Sequence, residues 1–133
     1  MFHKTLAIAA TSFLLLAVSC KKDNNTSIPT PGPAKSRAIK FEVTGNFSGT
    51  LDATYIAESG GGTSEDINSL PWNKSLNYAT TASGTGLSVG GYGGVPGQTL
   101  TVKVFAGGNE VSSTSGTTKS DGIIVVVAPS YVF

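Results

Sequence analysis

Cysteine and histidine are almost absent from this sequence of 133 residues, which contains one of each, Cys20 and His3. A single cysteine excludes a disulfide bond within the chain. Transition-metal sites use histidine and cysteine ligands, and serine nucleophiles use a histidine base, so the chain after Cys20 lacks the side chains for both. We therefore expect no enzyme activity, and we predict no catalytic residue, no metal site and no cofactor.

Charge is also scarce and evenly balanced, since charged residues make up 13% of the sequence, with nine basic and eight acidic side chains. This balance gives no general attraction to polyanions, so we expect no nucleic-acid partner. The 17 glycines disfavour helices and favour short strands joined by turns. The length suits one domain with one modest core.

Residues 1–19 are mostly apolar, and Lys4 is the one charged residue among them. The apolar run of about 13 residues is shorter than the roughly 20 that a membrane-spanning helix needs. Its layout is typical of a cleaved secretory signal peptide. A retained transmembrane anchor is the alternative interpretation.

The apolar run ends in the sequence Leu-Ala-Val-Ser-Cys at residues 16–20, which resembles the lipobox of bacterial lipoproteins. This resemblance implies cleavage between Ser19 and Cys20, attachment of a diacylglycerol to the Cys20 sulfur, and N-acylation of the new terminus. We therefore expect residues 1–19 to be a signal peptide, and a lipid on Cys20 to attach the protein to the cell envelope. We favour the outer membrane over the inner membrane.

Residues 20–36 contain the lipidation site and a polar, proline-containing stretch, KKDNNTSIPTPGPAKS. This composition cannot form a packed core and is typical of a semi-rigid linker. The linker would extend up to about 50 Å in polyproline II geometry. Residues 37–133 then remain as the folded domain.

Apolar and polar residues alternate from Arg37 onward, a pattern typical of half-buried β-strands. We predict a first strand around Phe41 and a second over residues 51–57, paired as a hairpin across a turn at residues 45–49. Residues 64–70 fit either a short strand or one helical turn. The next strand begins at Trp72 and places Trp72, Lys74, Leu76 and Tyr78 on one side.

The second half of the domain contains further strand patterns. We predict a strand at residues 87–89 and a hairpin in which residues 100–105 turn at Gly107-Gly108 and return from Val111. The continuous apolar run at residues 123–127 predicts a strand covered on both faces, or one whose neighbours shield its outer side. Six to eight strands without a helical period predict a single all-β antiparallel β-sandwich.

The strand segments Phe-Glu-Val-Thr-Gly, Ala-Thr-Tyr, Leu-Pro-Trp-Asn-Lys, Leu-Ser-Val and Val-Lys-Val-Phe, followed by a glycine turn and Glu-Val, come one after another between residues 41 and 111. In this order they resemble the MmpS-type domain. The resemblance implies an immunoglobulin-like sandwich on the outer side of a membrane, acting as an accessory subunit of an envelope protein such as an exporter. The CKKD start of the mature chain resembles lipoproteins of Bacteroidetes-type bacteria.

Two functions follow as expectations: a non-catalytic, lipid-anchored protein that binds an envelope protein partner, or a binding module for carbohydrates or other small ligands. Trp72, Tyr78 and Tyr92 are the candidate contact residues, because aromatic rings offer large contact area at low entropic cost.

Three patterns allow other chemistry, and we give each less weight. Carboxylate pairs, Glu42 with Asp52 or Glu65 with Asp66, would suffice for glycoside hydrolysis. Loop carboxylates at residues 65–66 would also suit calcium. The Gly-Leu-Ser-Val-Gly sequence at residues 86–90 matches a nucleophile elbow, but its alternation predicts a strand.

Overall fold

The computed structural model of the protein describes residues 34–133, and all the regular secondary structure in this part is β. The ten strands are β1 (Ala38–Gly45), β2 (Thr50–Ile56), β3 (Gly62–Ile67), β4 (Trp72–Asn77), β5 (Gly84–Thr85), β6 (Leu87–Tyr92), β7 (Thr99–Ala106), β8 (Asn109–Thr117), β9 (Ile124–Val127) and β10 (Tyr131–Val132). The predicted signal peptide, Ser19, Cys20 and most of the linker lie outside the described residues. Within residues 34–133, no helix has the length and hydropathy needed to cross a membrane.

Eight of these strands form two four-stranded antiparallel sheets that pack face to face. Sheet A has the order β4-β1-β7-β8, and sheet B has the order β3-β2-β6-β9. The two short strands β5 and β10 pair with each other in a small third sheet. The predicted all-β sandwich is therefore confirmed, and the small sheet is an addition that the sequence patterns did not reveal.

The core lies between sheets A and B and follows from the alternation along the strands, because successive side chains point to opposite faces of a sheet. Phe41 on β1 is fully buried, and its ring centroid lies 5.8 Å from that of Tyr55 on β2. The other large buried apolar side chains are Ile39, Val43, Phe47, Leu51, Ile67, Leu76, Tyr78, Leu87, Val89, Leu100, Val102, Val104, Ile124 and Val126. Both sheets contribute to this core.

The predicted hairpin between β1 and β2 is wrong, because β1 belongs to sheet A and β2 belongs to sheet B. The connecting residues 46–49 cross from one sheet to the other and bury Phe47 between them. Asn46 ties the crossing to β7, since its amide donates to the Thr99 carbonyl at 3.1 Å and its side-chain oxygen accepts from the Thr99 amide at 2.8 Å. Gly94 makes room for the buried ring, because a Cβ there would come within 2.1 Å of Phe47.

Three other strand predictions can be compared with the structure. The hairpin of β7 and β8 is confirmed, and Gly107 and Gly108 have the positive φ angles of its turn. The ambiguous stretch after the glycine run is a strand, β3, which pairs with β2. Trp72 packs partly buried against the core, and Leu76 and Tyr78 follow it on the buried side.

The prediction that residues 123–127 are covered on both faces is wrong. β9 alternates, with Ile124 and Val126 buried in the core and Val125 and Val127 exposed by 63% and 58%. β9 is also the edge strand of sheet B, so no other strand in the described chain pairs with it on the side away from β6. The continuous apolar sequence of β9 therefore does not indicate that both of its faces are buried.

Candidate functional site

An open cleft of about 530 Å³ lies where the outer face of sheet B meets the small sheet of β5 and β10. Its size falls within the roughly 300–1,000 Å³ that is typical of small-molecule sites. The lining residues are Thr54, Tyr55, Ile56, Gly62, Ser83, Gly84, Thr85, Gly86, Leu87, Ser88, Val127, Ala128, Ser130, Tyr131 and Val132. We take this cleft as the candidate functional site.

The floor of the cleft is formed by the outward-facing residues of sheet B. Thr54 and Ser88 are register partners on the neighbouring strands β2 and β6, and Val127 is the partner of Ser88 on β9. These three side chains therefore form one row across the sheet. The row changes from hydroxyl groups to an exposed valine toward the sheet edge.

The opposite wall is the small sheet, in which Tyr131 pairs with Thr85 and Val132 pairs with Gly84. The Phe133 amide extends this pairing by donating to the Ser83 carbonyl at 3.1 Å. Glycine is required at position 84, because a Cβ there would stand 2.8 Å from the Tyr131 carbonyl oxygen. The chain end is thus held against β5 by main-chain bonds.

Tyr78 supports this wall from inside the domain. Its hydroxyl donates to the Ile56 carbonyl and lies 2.7 Å from the Thr85 hydroxyl. A phenol has one proton, so the Thr85 hydroxyl must donate to the Tyr78 oxygen. Burial raises the pKa of Tyr78. One buried hydroxyl therefore links β2, through Ile56, to β5, and both linked residues line the cleft.

An aromatic and basic cluster fixes the chain end outside this linkage. The Phe133 ring lies 5.1 Å from the Tyr78 ring and 5.6 Å from the Tyr131 ring. The Arg37 guanidinium lies 4.6 Å above Phe133 and donates to the Ala79 and Ala82 carbonyls at 2.6 and 2.8 Å. The start of the domain and its end are thus joined at the small sheet.

The lining of the cleft contains no charged side chain, and its polar groups are hydroxyls and main-chain amides. A charged ligand would lose its hydration there without gaining an ionic partner. An uncharged ligand with an apolar body would be accommodated, because hydroxyls and amides can both donate and accept hydrogen bonds. The arrangement therefore suits binding of an uncharged group.

The structure does not bring the three predicted contact residues together. Tyr92 is 64% exposed on the outer face of sheet B, four positions along β6 from Ser88, or roughly 13 Å at about 3.3 Å per residue. Trp72 is partly buried on β4, in the other sheet. Tyr78 is only 4% exposed, so the prediction of direct ligand contact is corrected to a supporting role.

The carboxylates considered above are also dispersed. Glu42 lies on sheet A and Asp52 on sheet B, while Glu65 accepts hydrogen bonds from Lys74 and from the Tyr55 hydroxyl at 2.8 and 2.9 Å. The Lys74 hydrogen bond lowers the pKa of the Glu65 carboxyl. Glu65 and Lys74 belong to different sheets, so this ion pair joins the sheets at one side of the sandwich.

Two further alternatives can be placed in the structure. Ser88 lies within β6 and not at a strand-to-helix turn, so the nucleophile-elbow alternative does not fit. Among residues 34–133, no group of three or more acidic, histidine or cysteine side chains is arranged to hold a metal ion.

Most cleft residues were not identified from the sequence, because they are serines, threonines and glycines without a distinctive motif. The Tyr131-Val132-Phe133 segment was the one sequence feature that could have indicated the wall of the cleft. It places aromatic and apolar residues immediately after Pro129-Ser130, which predicts a short additional strand beyond β9. The partner strand of this segment, β5, has only two residues, which is too short to show an alternating pattern.

No protein-family model matches the sequence, and a search of curated proteins returns no match.

Proposed function

We propose that this protein is a non-catalytic, lipid-anchored binding protein of the cell envelope, whose β-sandwich acts as an accessory subunit for an envelope protein. The anchor rests on the lipobox at residues 16–20 and its Cys20. The binding role rests on one structural observation, the uncharged cleft on the outer face of sheet B.

The surroundings of the cleft support a protein partner. Val132 lines the cleft and is 58% exposed, and Val127 at the other side of the cleft has the same exposure. Soluble domains seldom expose neighbouring large apolar side chains unless another surface covers them. The resemblance to MmpS-type domains agrees with an accessory role next to a membrane protein.

Site-specific photo-cross-linking in intact cells tests this proposal. Benzoylphenylalanine in place of Val132 should give one discrete adduct with an envelope protein after irradiation. The matched control has the same substitution at Val111, which is exposed on β8 of the other sheet, and should give no such adduct. The same adducts from both positions, or none from Val132, would contradict the proposal.

A second candidate function, binding of a carbohydrate or another small uncharged ligand, is favoured by the hydroxyl-bearing floor of the cleft. Neutral oligosaccharides carry many hydroxyl groups and no charge, which matches Thr54, Ser88 and Ser130. Titration with neutral glycans, followed by amide NMR shifts, should perturb these residues. A Val132→Arg variant should abolish the shifts, while Val111→Arg should leave them unchanged.

A further inference from the structure

The small sheet that forms one wall of the cleft is too short to hold its position by strand pairing alone. β5 and β10 contribute two residues each, and the Phe133 amide adds one bond to the Ser83 carbonyl at 3.1 Å. Even a longer two-stranded pair is only marginally stable in water without further packing. The position of this wall therefore depends on side chains outside the two strands.

One guanidinium contacts the chain next to both strands of the small sheet. Arg37 Nη1 donates to the carbonyls of Ala79 and Ala82, which precede β5, at 2.6 and 2.8 Å. The Ala82 amide also donates to the Ala79 carbonyl at 3.1 Å, so Arg37 holds both ends of one turn. The same guanidinium lies 4.6 Å from the centre of the Phe133 ring, directly after β10. Arg37 thus fixes both strands although it belongs to neither.

The chemistry of this contact is specific to arginine, and its main chain is fixed to sheet A. A planar guanidinium presents N–H donors at its edge and its face to an aromatic ring at the same time, which a lysine ammonium does not. The Arg37 carbonyl accepts from the Tyr78 amide at 3.1 Å, one position beyond the register pair of Ala38 and Asn77. The Arg37 side chain therefore ties the small sheet to sheet A.

Lys35 makes a weaker contact of the same kind. Its Nζ lies 5.7 Å from the centre of the Tyr131 ring, and Tyr131 lines the cleft. The Tyr131 and Phe133 rings meet edge to face at 5.6 Å. Two cations two positions apart therefore stand over two rings that are also two positions apart. Both cations lie where the predicted linker joins the domain.

The wall also borders a second cavity, which limits its packing against the sandwich. This smaller pocket of about 280 Å³ shares Ile56, Ser83 and Gly84 with the cleft, and Ala82 lines it as well. Segments with few packing contacts open locally at a lower free energy than the whole domain. The small sheet therefore has the properties of a unit that detaches while the sandwich stays folded.

We propose that Arg37 is a positioning residue for the cleft. Its contacts hold the small sheet in the closed position, and their release opens this wall of the cleft while sheets A and B stay folded. Because Arg37 directly follows the predicted linker, closure of the cleft depends on contacts made where the linker joins the domain. As regulation of the candidate binding site, this inference rests on the proposed function, whereas the opening of the wall is a property of the fold.

Native-state amide exchange of the full-length chain tests the opening. The Phe133 amide reports on the wall, and the Phe41 amide, on β1 between β4 and β7, reports on the sandwich. In the wild-type protein, the Phe133 amide should exchange faster than the Phe41 amide. Arg37→Met should accelerate exchange at Phe133 by roughly 10-fold, through loss of the hydrogen bonds and the ring contact. Exchange at Phe41 and the urea midpoint should stay unchanged.

Two further variants give the expected order of effects. Lys35→Met should accelerate Phe133 exchange by only about 2- to 5-fold, because it removes one exposed cation–ring contact. Lys40→Met is the matched control, since Lys40 Nζ lies 5.0 Å from the centre of the Phe105 ring on sheet A, away from the cleft. This control should leave Phe133 exchange unchanged.

Photo-cross-linking from position 132 separates this inference from the proposed function. Arg37→Met should weaken the adduct, and Lys40→Met should leave it intact. Faster Phe133 exchange in Arg37→Met, with no adduct even from the wild-type protein, would refute the proposed function and support the positioning role. Equal exchange at Phe133 and Phe41 in the wild type, equal effects of Arg37→Met and Lys40→Met, or an undiminished adduct in Arg37→Met would each overturn the positioning role.

Discussion

Replacing Tyr78 with phenylalanine tests whether one buried hydroxyl holds the cleft wall to the sandwich. The ring, 4% exposed, would keep its packing, but the Ile56 carbonyl and the Thr85 hydroxyl would each lose a hydrogen-bond partner. An unsatisfied buried polar group costs about 1–3 kcal/mol. We therefore expect Tyr78→Phe to lower the free energy of unfolding by about 1–3 kcal/mol at neutral pH.

Urea denaturation and thermal melting measure this loss, and Tyr92→Phe is the matched control. Tyr92 is 64% exposed, so water can replace any bond that its hydroxyl loses. The control should stay within about 0.5 kcal/mol of wild type. A loss of 1 kcal/mol corresponds to a decrease in Tm of roughly 4–8 °C for a domain of this size.

The pH dependence of stability gives a second readout for Tyr78. Burial raises the pKa of Tyr78 in the folded protein above its ordinary value of 10.0. The stability linked to this protonated phenol is present below pH 10 and is lost as the pH rises through the folded pKa. Tyr78→Phe should remove this part of the alkaline destabilisation. If Tyr78→Phe and Tyr92→Phe behave alike in both assays, the linkage described here is wrong.

Three further changes have definite expected outcomes. Glu65→Gln should reduce the loss of stability in acid, because the Lys74 hydrogen bond lowers the pKa of Glu65 in the folded protein. The stability linked to this ionised carboxyl is present above its ordinary pKa of 4.5 and is lost as the pH falls through the folded pKa. Urea denaturation between pH 2 and pH 6 measures this difference. Phe41→Ala should lower the free energy of unfolding by about 3–5 kcal/mol, and Trp72→Ala should lower it less, since Phe41 is fully buried and Trp72 is only partly buried. A larger loss for Trp72→Ala than for Phe41→Ala in urea denaturation would refute the assigned packing. Deleting residues 24–33 should abolish the Val132 cross-link without unfolding the domain, because the linker shortens by about 30 Å, whereas scrambling these residues should leave the cross-link intact.

The all-β sandwich was predictable because strand alternation is a local property. Ile39, Phe41 and Val43 point to one face whichever strands lie beside them, so their burial follows from the sequence alone. Pairing between strands is not local. The hairpin expected for β1 and β2 failed because the connecting residues bury Phe47 and cross between the sheets, which residue spacing does not encode.

The environment of β9 could not be predicted for a related reason. Its run of apolar residues indicated coverage on both faces, but Val125 and Val127 are exposed because they face outward from sheet B, as the exposed residues of the inner strand β2 do. Whether another layer covers a sheet face depends on how the whole domain packs. The same limitation applies to the cleft, whose wall forms only when Tyr131 and Val132 pair with Thr85 and Gly84.

Of the predicted contact residues, the sequence identified which ones were large and aromatic but not which were accessible. Tyr92 is exposed because it lies at the end of β6 on the same outward face as Ser88. Tyr78 lies on the same strand face as Leu76 and is therefore buried. Alternation gives the relative faces of neighbouring residues, and only the packed sandwich determines which face meets solvent.

Attachment through Cys20 is the central claim of the account, and metabolic labelling with palmitate tests it most directly. The wild-type protein should incorporate the label, fractionate with membranes and yield a mature chain that begins at an acylated Cys20. A Cys20→Ser variant should remain an unlabelled precursor with its first 19 residues retained. Label on the Cys20→Ser variant, or a wild-type protein that carries no lipid, would contradict the account.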